Sequence, residues 1–309
     1  MEGIKTKQFQ PLSDMNMAWD FLVEVNDAVN NKEIPSDKAP FFEYALTSMW
    51  MNKNYLHLCR FWMDEDIIVG FVFYENPVTN IHFVLRPGYE RLADEMIAYA
   101  IDAFPDINDE KEFVFSDAQR ALITAAENRG YKLHYKEREY RLDITASALN
   151  YELPKGFHFV DPSEIDPLKL ARCMWKGFNE WELGAFENWD VPDDKSDWNP
   201  HKSYTGVLSN VMAPPPHSTY EHNVTIANED GEYVCFSGMW WVPENKLAYM
   251  EPLCTIPEYQ HQGLASAALT KHYQKFKEMG GKHLTGGGND FYRKIGYDTE
   301  VYSLIYRKE

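Results

Sequence analysis

The order of strand-forming and helix-forming segments is written twice along this chain, and that repeat limits the fold more than any single motif. In the second half, Phe157–Val160 is a short strand and Ser163-Glu164 opens an amphipathic run through Leu168, Leu170, Ala171, Met174 and Phe178. A shorter helix is expected over 203–212. Val224–Ala227 and Tyr233–Trp241 flank Glu229-Asp-Gly-Glu, a hairpin signal. Lys246–Cys254 is a strand, Leu264–Met279 a helix ended by Gly280-Gly281, His283-Leu-Thr a strand, Asn289–Lys294 a helix and Tyr297–Tyr306 a last strand.

The first half reads in the same order. Ile4–Phe9 is a strand, Asp14–Val29 and Phe41–Met51 are helices, and Tyr55–Met63 and Ile67–Tyr74 are strands around Asp64-Glu-Asp. Ile81–Leu85, Tyr89–Phe104, Phe113–Phe115, Ala118–Arg129 and Tyr131–Leu142 then alternate strand and helix. Gly130-Tyr131 with Tyr140-Arg141 repeats as Gly296-Tyr297 with Tyr306-Arg307, and Pro87-Gly-Tyr-Glu resembles Pro257-Glu-Tyr-Gln. Helices alternating with strands in this way indicate an α/β fold. A chain of 309 residues also suits two cores better than one. The expected division is 1–148 and 149–309, with the break near Thr145–Lys155. The competing explanation is likeness forced by shared composition.

One segment carries recognisable chemistry. After the strand ending at Cys254, Gln260, Gly263 and Ala265 form Q-x-x-G-x-A directly before the long helix. A strand that turns sharply into a helix leaves N–H groups unpaired at the helix start, where the dipole is positive. Such a turn suits a phosphate or pyrophosphate, and a glycine lets it approach the backbone. The bland alternative is an ordinary turn glycine. The first half has Pro87-Gly-Tyr-Glu-Arg-Leu-Ala-Asp-Glu at the same place, with no second glycine and with acids at the helix start. That charge suits an empty helix N-terminus and competes with a bound anion.

Gln260–Ala265, with its lead-in Glu251-Pro-Leu-Cys-Thr-Ile-Pro-Glu-Tyr, resembles the acyl-CoA-binding turn of the GCN5-related N-acetyltransferases. The resemblance implies two tandem domains of mixed, mostly antiparallel sheet flanked by helices. The first would be a degenerate copy that braces the second or walls its substrate cleft. It implies acetyl-CoA as acyl donor, held by Leu253, Cys254, Thr255, Gln260, His261, Gln262, Gly263, Leu264, Ala265 and Ser266, with Asn289 and Tyr292 alongside.

The resemblance also suggests roles. Phe291-Tyr-Arg-Lys-Ile-Gly-Tyr is similar to the family's segment whose tyrosine faces the CoA sulfur, so Tyr292 is the candidate general acid; the alternative is simple packing. Gly286-Gly-Gly-Asn replaces the family's longer spacer there. Glu251 is the candidate base, or else a site for a cationic amine or a cap. Strand alternation would put Tyr249, Glu251 and Leu253 on one face. By analogy the backbone N–H of Cys254 is the oxyanion donor. No acid–histidine partner activates its thiol, so an acyl-cysteine is not expected.

Phe178–Pro200 interleaves seven acids with Trp181, Phe186, Trp189 and Trp198. Acids beside aromatic faces suit an amine, and in the family this connection lines the acceptor site. Trp181, Glu182, Trp189, Trp240 and Glu251 are therefore the candidate acceptor contacts; the alternative is an acidic surface loop.

Composition excludes other classes. A net charge of −18 opposes nucleic acid and anionic membranes. Four scattered cysteines without C-x-x-C argue against a disulfide framework and a zinc site. No apolar run approaches a membrane span, and the expectation is a cytoplasmic monomer or homodimer. Two further functions stay open: a non-catalytic acyl-CoA sensor or scaffold, and a peptide or protein N-acetyltransferase.

Overall fold

The computed structural model describes residues 3–29, 34–107, 111–188, 199–212, 217 and 220–308. The chain divides into two compact units. The first is Met1–Leu46, Met51–Glu139 and Glu300–Glu309; the second is Thr47–Trp50 and Tyr140–Thr299. The division therefore does not follow a single break at residue 148, because the last strand of the chain belongs to the first unit.

The repeat read from the sequence is present element by element. The first pass is β1 (Ile4–Gln8), α1 (Pro11–Val29), α2 (Lys38–Thr47), β2 (Arg60–Asp64), β3 (Ile67–Tyr74), β4 (Asn80–Leu85), α3 (Ala93–Ala103), β5 (Glu112–Phe115), α4 (Arg120–Glu127) and β6 (Tyr131–Asp143). The second is β7 (Phe157–Phe159), α5 (Pro167–Gly177), α6 (Pro200–Val207), β8 (Val224–Asn228), β9 (Tyr233–Val242), β10 (Leu247–Thr255), α7 (Leu264–Glu278), β11 (His283–Thr285), α8 (Asp290–Ile295) and β12 (Thr299–Lys308). This is the expected mixed α/β architecture.

Among the local readings that differ from expectation, two have a clear cause in capping. Tyr55–Leu58 belongs to a 3-10 turn, Lys53–Leu58, because Asn52 accepts from Asn54 N–H and starts a helical turn rather than a strand. α5 begins at Pro167 and not at Ser163, since Asp166 accepts from the N–H groups of Leu168 and Lys169 and proline fits the first helical position.

In the first unit, strands pair in the order β1-β2-β3-β4-β5-β12, with β4 and β5 parallel and the other pairs antiparallel. In the second, β7-β8-β9-β10-β11 is completed by the end of β6, whose Arg141–Asp143 pair antiparallel with β11. Each unit thus takes its sixth strand from the opposite end of the repeat. β12 satisfies β5 through Leu304–Arg307, and Arg307 also reaches Glu112 at 2.6 Å.

Both cores are dense and aromatic. In the first, Phe9, Phe42, Phe61, Phe71 and Phe73 pack edge-on or tilted at 4.5–5.9 Å. In the second, α7 covers one sheet face with Leu269, Tyr273 and Phe276 against Met239 and Met250, while α5 puts Leu170, Cys173 and Trp175 in a cluster with Phe236 and Cys254. His272 of α7 is fully buried, and burial pushes its imidazole down to about 3. Among the described residues, no helix is long and apolar enough to cross a membrane.

Candidate active site

The second sheet opens along one edge of β10. β10 and β11 run parallel for only two pairs, Leu247↔His283 and Ala248↔Leu284. The next N–H, Met250's, is met by the Thr285 hydroxyl at 2.7 Å instead of a backbone carbonyl. The chain then leaves β10. Gly286 N–H donates to Tyr140 O at 2.8 Å, and Gly287 O accepts from Tyr140 N–H at 3.3 Å, so the glycine run is held by β6. From Glu251 to Thr255, β10 has lost that neighbour.

A bulge sits at the point of opening. Met250 faces Met239 and Leu253 faces Ser237, so three steps on β10 match two on β9. Gly238 makes room, since a Cβ there would run into the Glu251 carbonyl oxygen and touch Pro252 Cδ at 3.0 Å. The extra residue changes two expectations. Leu253 shares the face of Met250, toward α7, and not that of Tyr249, because Ser237 and Met239 stand two apart on one face. The Cys254 N–H does not point to the open edge. Ile256 N–H donates to Val234 O at 3.0 Å, and the register runs regularly back through Thr255↔Cys235 to Cys254↔Phe236. Ladder alternation then turns the Cys254 N–H toward β9 and leaves those of Leu253 and Thr255 facing the opening.

The Cys254 side chain is a packing group. A Cβ on Gly177 would lie 2.8 Å from Cys254 Cβ and Sγ, so α5 rests directly on it. Hydrogen bonding to the Cys254 thiol, followed by burial, pushes Cys173 well above the usual thiol range; burial pushes Cys235 up to about 12. Thr255 Oγ1 donates to Cys235 Sγ at 3.4 Å. The raised pKa values make Cys173 and Cys235 poor nucleophiles.

The turn lies at the far end of the opening. A 3-10 turn, Pro257–Tyr259, leads to Gln260, whose amide donates to Thr255 O at 3.2 Å and closes the loop on β10. His261 stands at φ 61° and Gly263 at φ 88°, in the left-handed region. Gly263 caps α7 without a side chain, so the first-turn N–H groups of the helix have no capping acceptor of their own. Gln262 Nε2 bonds Glu258 O, Leu264 and Ser266 are buried, and Ala265 is half-buried.

Tyr292 stands beside the glycine run. Its ring packs where Cβ atoms on Gly286 or Gly287 would be, 2.6 Å from Cδ1 and 3.6 Å from Oη respectively. Gly286-Gly287 is therefore the space that Tyr292 fills, which explains the unusual spacer. Asn289 caps α8 by accepting from Phe291 N–H at 2.9 Å, so its carbonyl oxygen is engaged in the helix start.

On the opposite face, Trp240 is buried and meets Tyr249 edge-on at 6.3 Å. Glu251 is half-buried at the bulge. Trp181 and Glu182 are exposed in a 3-10 turn, Glu180–Leu183, beginning three residues after Gly177. Trp189 lies outside the described residues. Among the described residues no three His, Cys, Asp or Glu side chains are placed to hold a metal.

The corresponding place in the first unit is filled. β4 and β5 also run parallel, but Gln119 Nε2 donates to Phe83 O and occupies the opening. Ahead of α3, Glu90 Oε1 accepts from Gly88 N–H at 2.9 Å, and that bond lowers its carboxyl below the usual range. Asp94 pairs with Arg129, and Glu95 accepts from Trp62 Nε1 at 2.8 Å.

Residues 176–297 match the acetyltransferase (GNAT) family. The second half of the chain carries a GNAT domain. No curated protein matches the chain. Solved structures match over nearly its whole length at low identity. An acetyltransferase of the GNAT family from Colwellia psychrerythraea has a TM-score of 0.59 at 11% identity, covering 98% of this chain and 100% of its own. A tandem GNAT protein from the clavulanic acid biosynthesis pathway has a TM-score of 0.57 at 9%, covering 98% and 97%. A GCN5-related N-acetyltransferase from Sphaerobacter thermophilus has a TM-score of 0.55 at 11%, covering 100% and 96%. The TM-scores show a shared fold.

Proposed function

We propose that the protein is an acyl-CoA-dependent N-acyltransferase that moves an acetyl group from acetyl-CoA to the primary amine of a small cationic acceptor. The observation that carries this is the opening beside β10, which runs from a bulge to a capless, glycine-started helix. The α7 N-terminus would take the pyrophosphate on the N–H groups of Gln262–Ser266. The pantetheine arm would complete the open edge, hydrogen-bonding along Leu253–Thr255.

Acyl transfer proceeds by direct attack in a ternary complex. The neutral amine nitrogen adds to the thioester carbonyl, and the negative charge on its oxygen is met by the Leu253 N–H. Such a donor is worth about 3 kcal/mol of barrier. The C–S bond then breaks, Tyr292 gives its proton to the leaving thiolate, and Glu251 takes the amine proton directly or through water. A cysteine intermediate is unnecessary and the buried thiols do not favour one. The −18 charge and the carboxylates at Glu180, Glu182 and Glu251 favour a cation. The first unit serves as a degenerate copy, with Glu90, Asp94 and Glu95 placing negative charge around its helix start.

Calorimetric titration with acetyl-CoA tests this, followed by thiol release with an amine panel. One acetyl-CoA per chain and amine-dependent thiol release are expected. Binding without release for any amine would favour a sensor, and absence of binding would remove the proposal.

A further inference from the structure

Large apolar side chains that remain exposed usually stand singly on a protein surface. The stretch after α5 departs from this. Phe178, Trp181 and Leu183 are 41%, 51% and 47% exposed and fall within one short segment. The backbone accounts for their display. Asn179 at φ 60° and Gly184 at φ 137° bracket the single 3-10 turn Glu180–Leu183, which is too short to bury a face. The turn is nonetheless anchored. Trp175 Nε1 donates to Gly184 O at 3.1 Å, and Phe186 is buried in the core cluster with Trp175 and Cys254. An anchored segment that holds three large apolar groups in water calls for something that covers them.

Its position indicates what that is. Gly177, immediately before Phe178, lies against Cys254, on the face of β10 that also carries Tyr249. The apolar segment therefore begins where α5 rests on β10, the strand that carries the proposed Leu253 donor. Glu180 and Glu182 interleave with it and supply negative charge. A ligand that satisfies both has an ammonium at one end and an apolar body at the other. The exposed Trp181 ring can serve either, through apolar cover or through cation–π attraction.

We propose that Phe178, Trp181 and Leu183 form an acceptor shelf that selects amines carried on an aromatic or bulky aliphatic body over compact polyamines. This rests on the acyl-transfer reading above. The shelf lowers the free energy of acceptors whose body covers it and does nothing for a diamine that must keep its second charge in water.

The test compares 2-phenylethylamine with 1,4-diaminobutane in thiol-release assays at saturating acetyl-CoA. Wild type is expected to favour the aromatic amine at least tenfold in kcat/KM. Trp181→Ala is expected to cut that ratio about tenfold through KM, and Trp181→Phe to restore most of it. Circular dichroism and acetyl-CoA affinity should be unchanged in both, which separates a shelf from a folding effect. A preference for the diamine, or a Trp181→Ala ratio equal to wild type, overturns the shelf while leaving acyl transfer intact. If acetyl-CoA binds but no amine releases thiol, acyl transfer fails, and the shelf is then judged by calorimetry with 2-phenylethylamine. Saturable binding weakened by Trp181→Ala supports it, and no binding overturns it.

Discussion

The helix that follows the fourth strand of each unit starts without a side-chain cap, but the charge around the two starts differs. α7 starts at Gly263 with no side-chain cap, and the strand before it has lost a neighbour. Ahead of α3, Glu90 takes the Gly88 N–H, while Asp94 and Glu95 carry charge through the first turn and Gln119 occupies the strand opening. The α7 start carries no acid in its first turn, whereas Asp94 and Glu95 lie in that of α3 and Glu90 just ahead of it. The local field at a helix start can thus differ between two copies of one architecture.

This contrast can be broken most sharply at Gly263. Gly263→Glu puts a side chain at φ 88° and a carboxylate where the pyrophosphate would lie. Acetyl-CoA affinity should fall about 1000-fold by calorimetry. Two sites in wild type, or one that survives this change, would mean that the first unit binds.

The helix bodies should differ in their response to acid. α3 buries only Ala93, Met96, Ile97 and Ala100, whereas α7 buries His272. Burial lowers the His272 pKa from 6.5 to about 3, with the Ser237 backbone opposing and Lys275, His222 and Lys271 assisting. A base with a depressed folded pKa contributes stability above its unfolded pKa and loses it as pH falls. Urea unfolding should show a loss of about 3 kcal/mol from this group between pH 7 and pH 4. His272→Leu should flatten that limb; an unchanged slope would exclude His272 as its source.

Smaller effects sharpen the chemistry. Tyr292→Phe should lower kcat about 100-fold with acetyl-CoA affinity retained; equal loss in both would make Tyr292 a packing residue. Cys254→Ala should stay within about threefold of wild-type kcat, since its N–H faces β9 and its thiol only packs. Glu90→Ala should cost about 0.5 kcal/mol in the first unit after solvent screening.

Much of this was legible in the sequence. The repeated element order, the Gly263 turn and α7 follow from periodicity and from glycine's place before a helix. What escaped was non-local or a matter of count. The one-residue bulge at Glu251-Pro252 reverses which N–H groups face the opening, and alternation taken from residue types has no access to it. Gln119 filling the first unit's opening depends on a partner 36 residues away. The Gly286-Gly287 run looked like an altered spacer, and only the ring of Tyr292 shows what the missing side chains leave room for.

Strand pairing across the repeat was the least legible feature, and it bears on how the protein is made. β5 emerges from the ribosome long before β12, its partner, since Val114 pairs with Ile305 from far later in the chain.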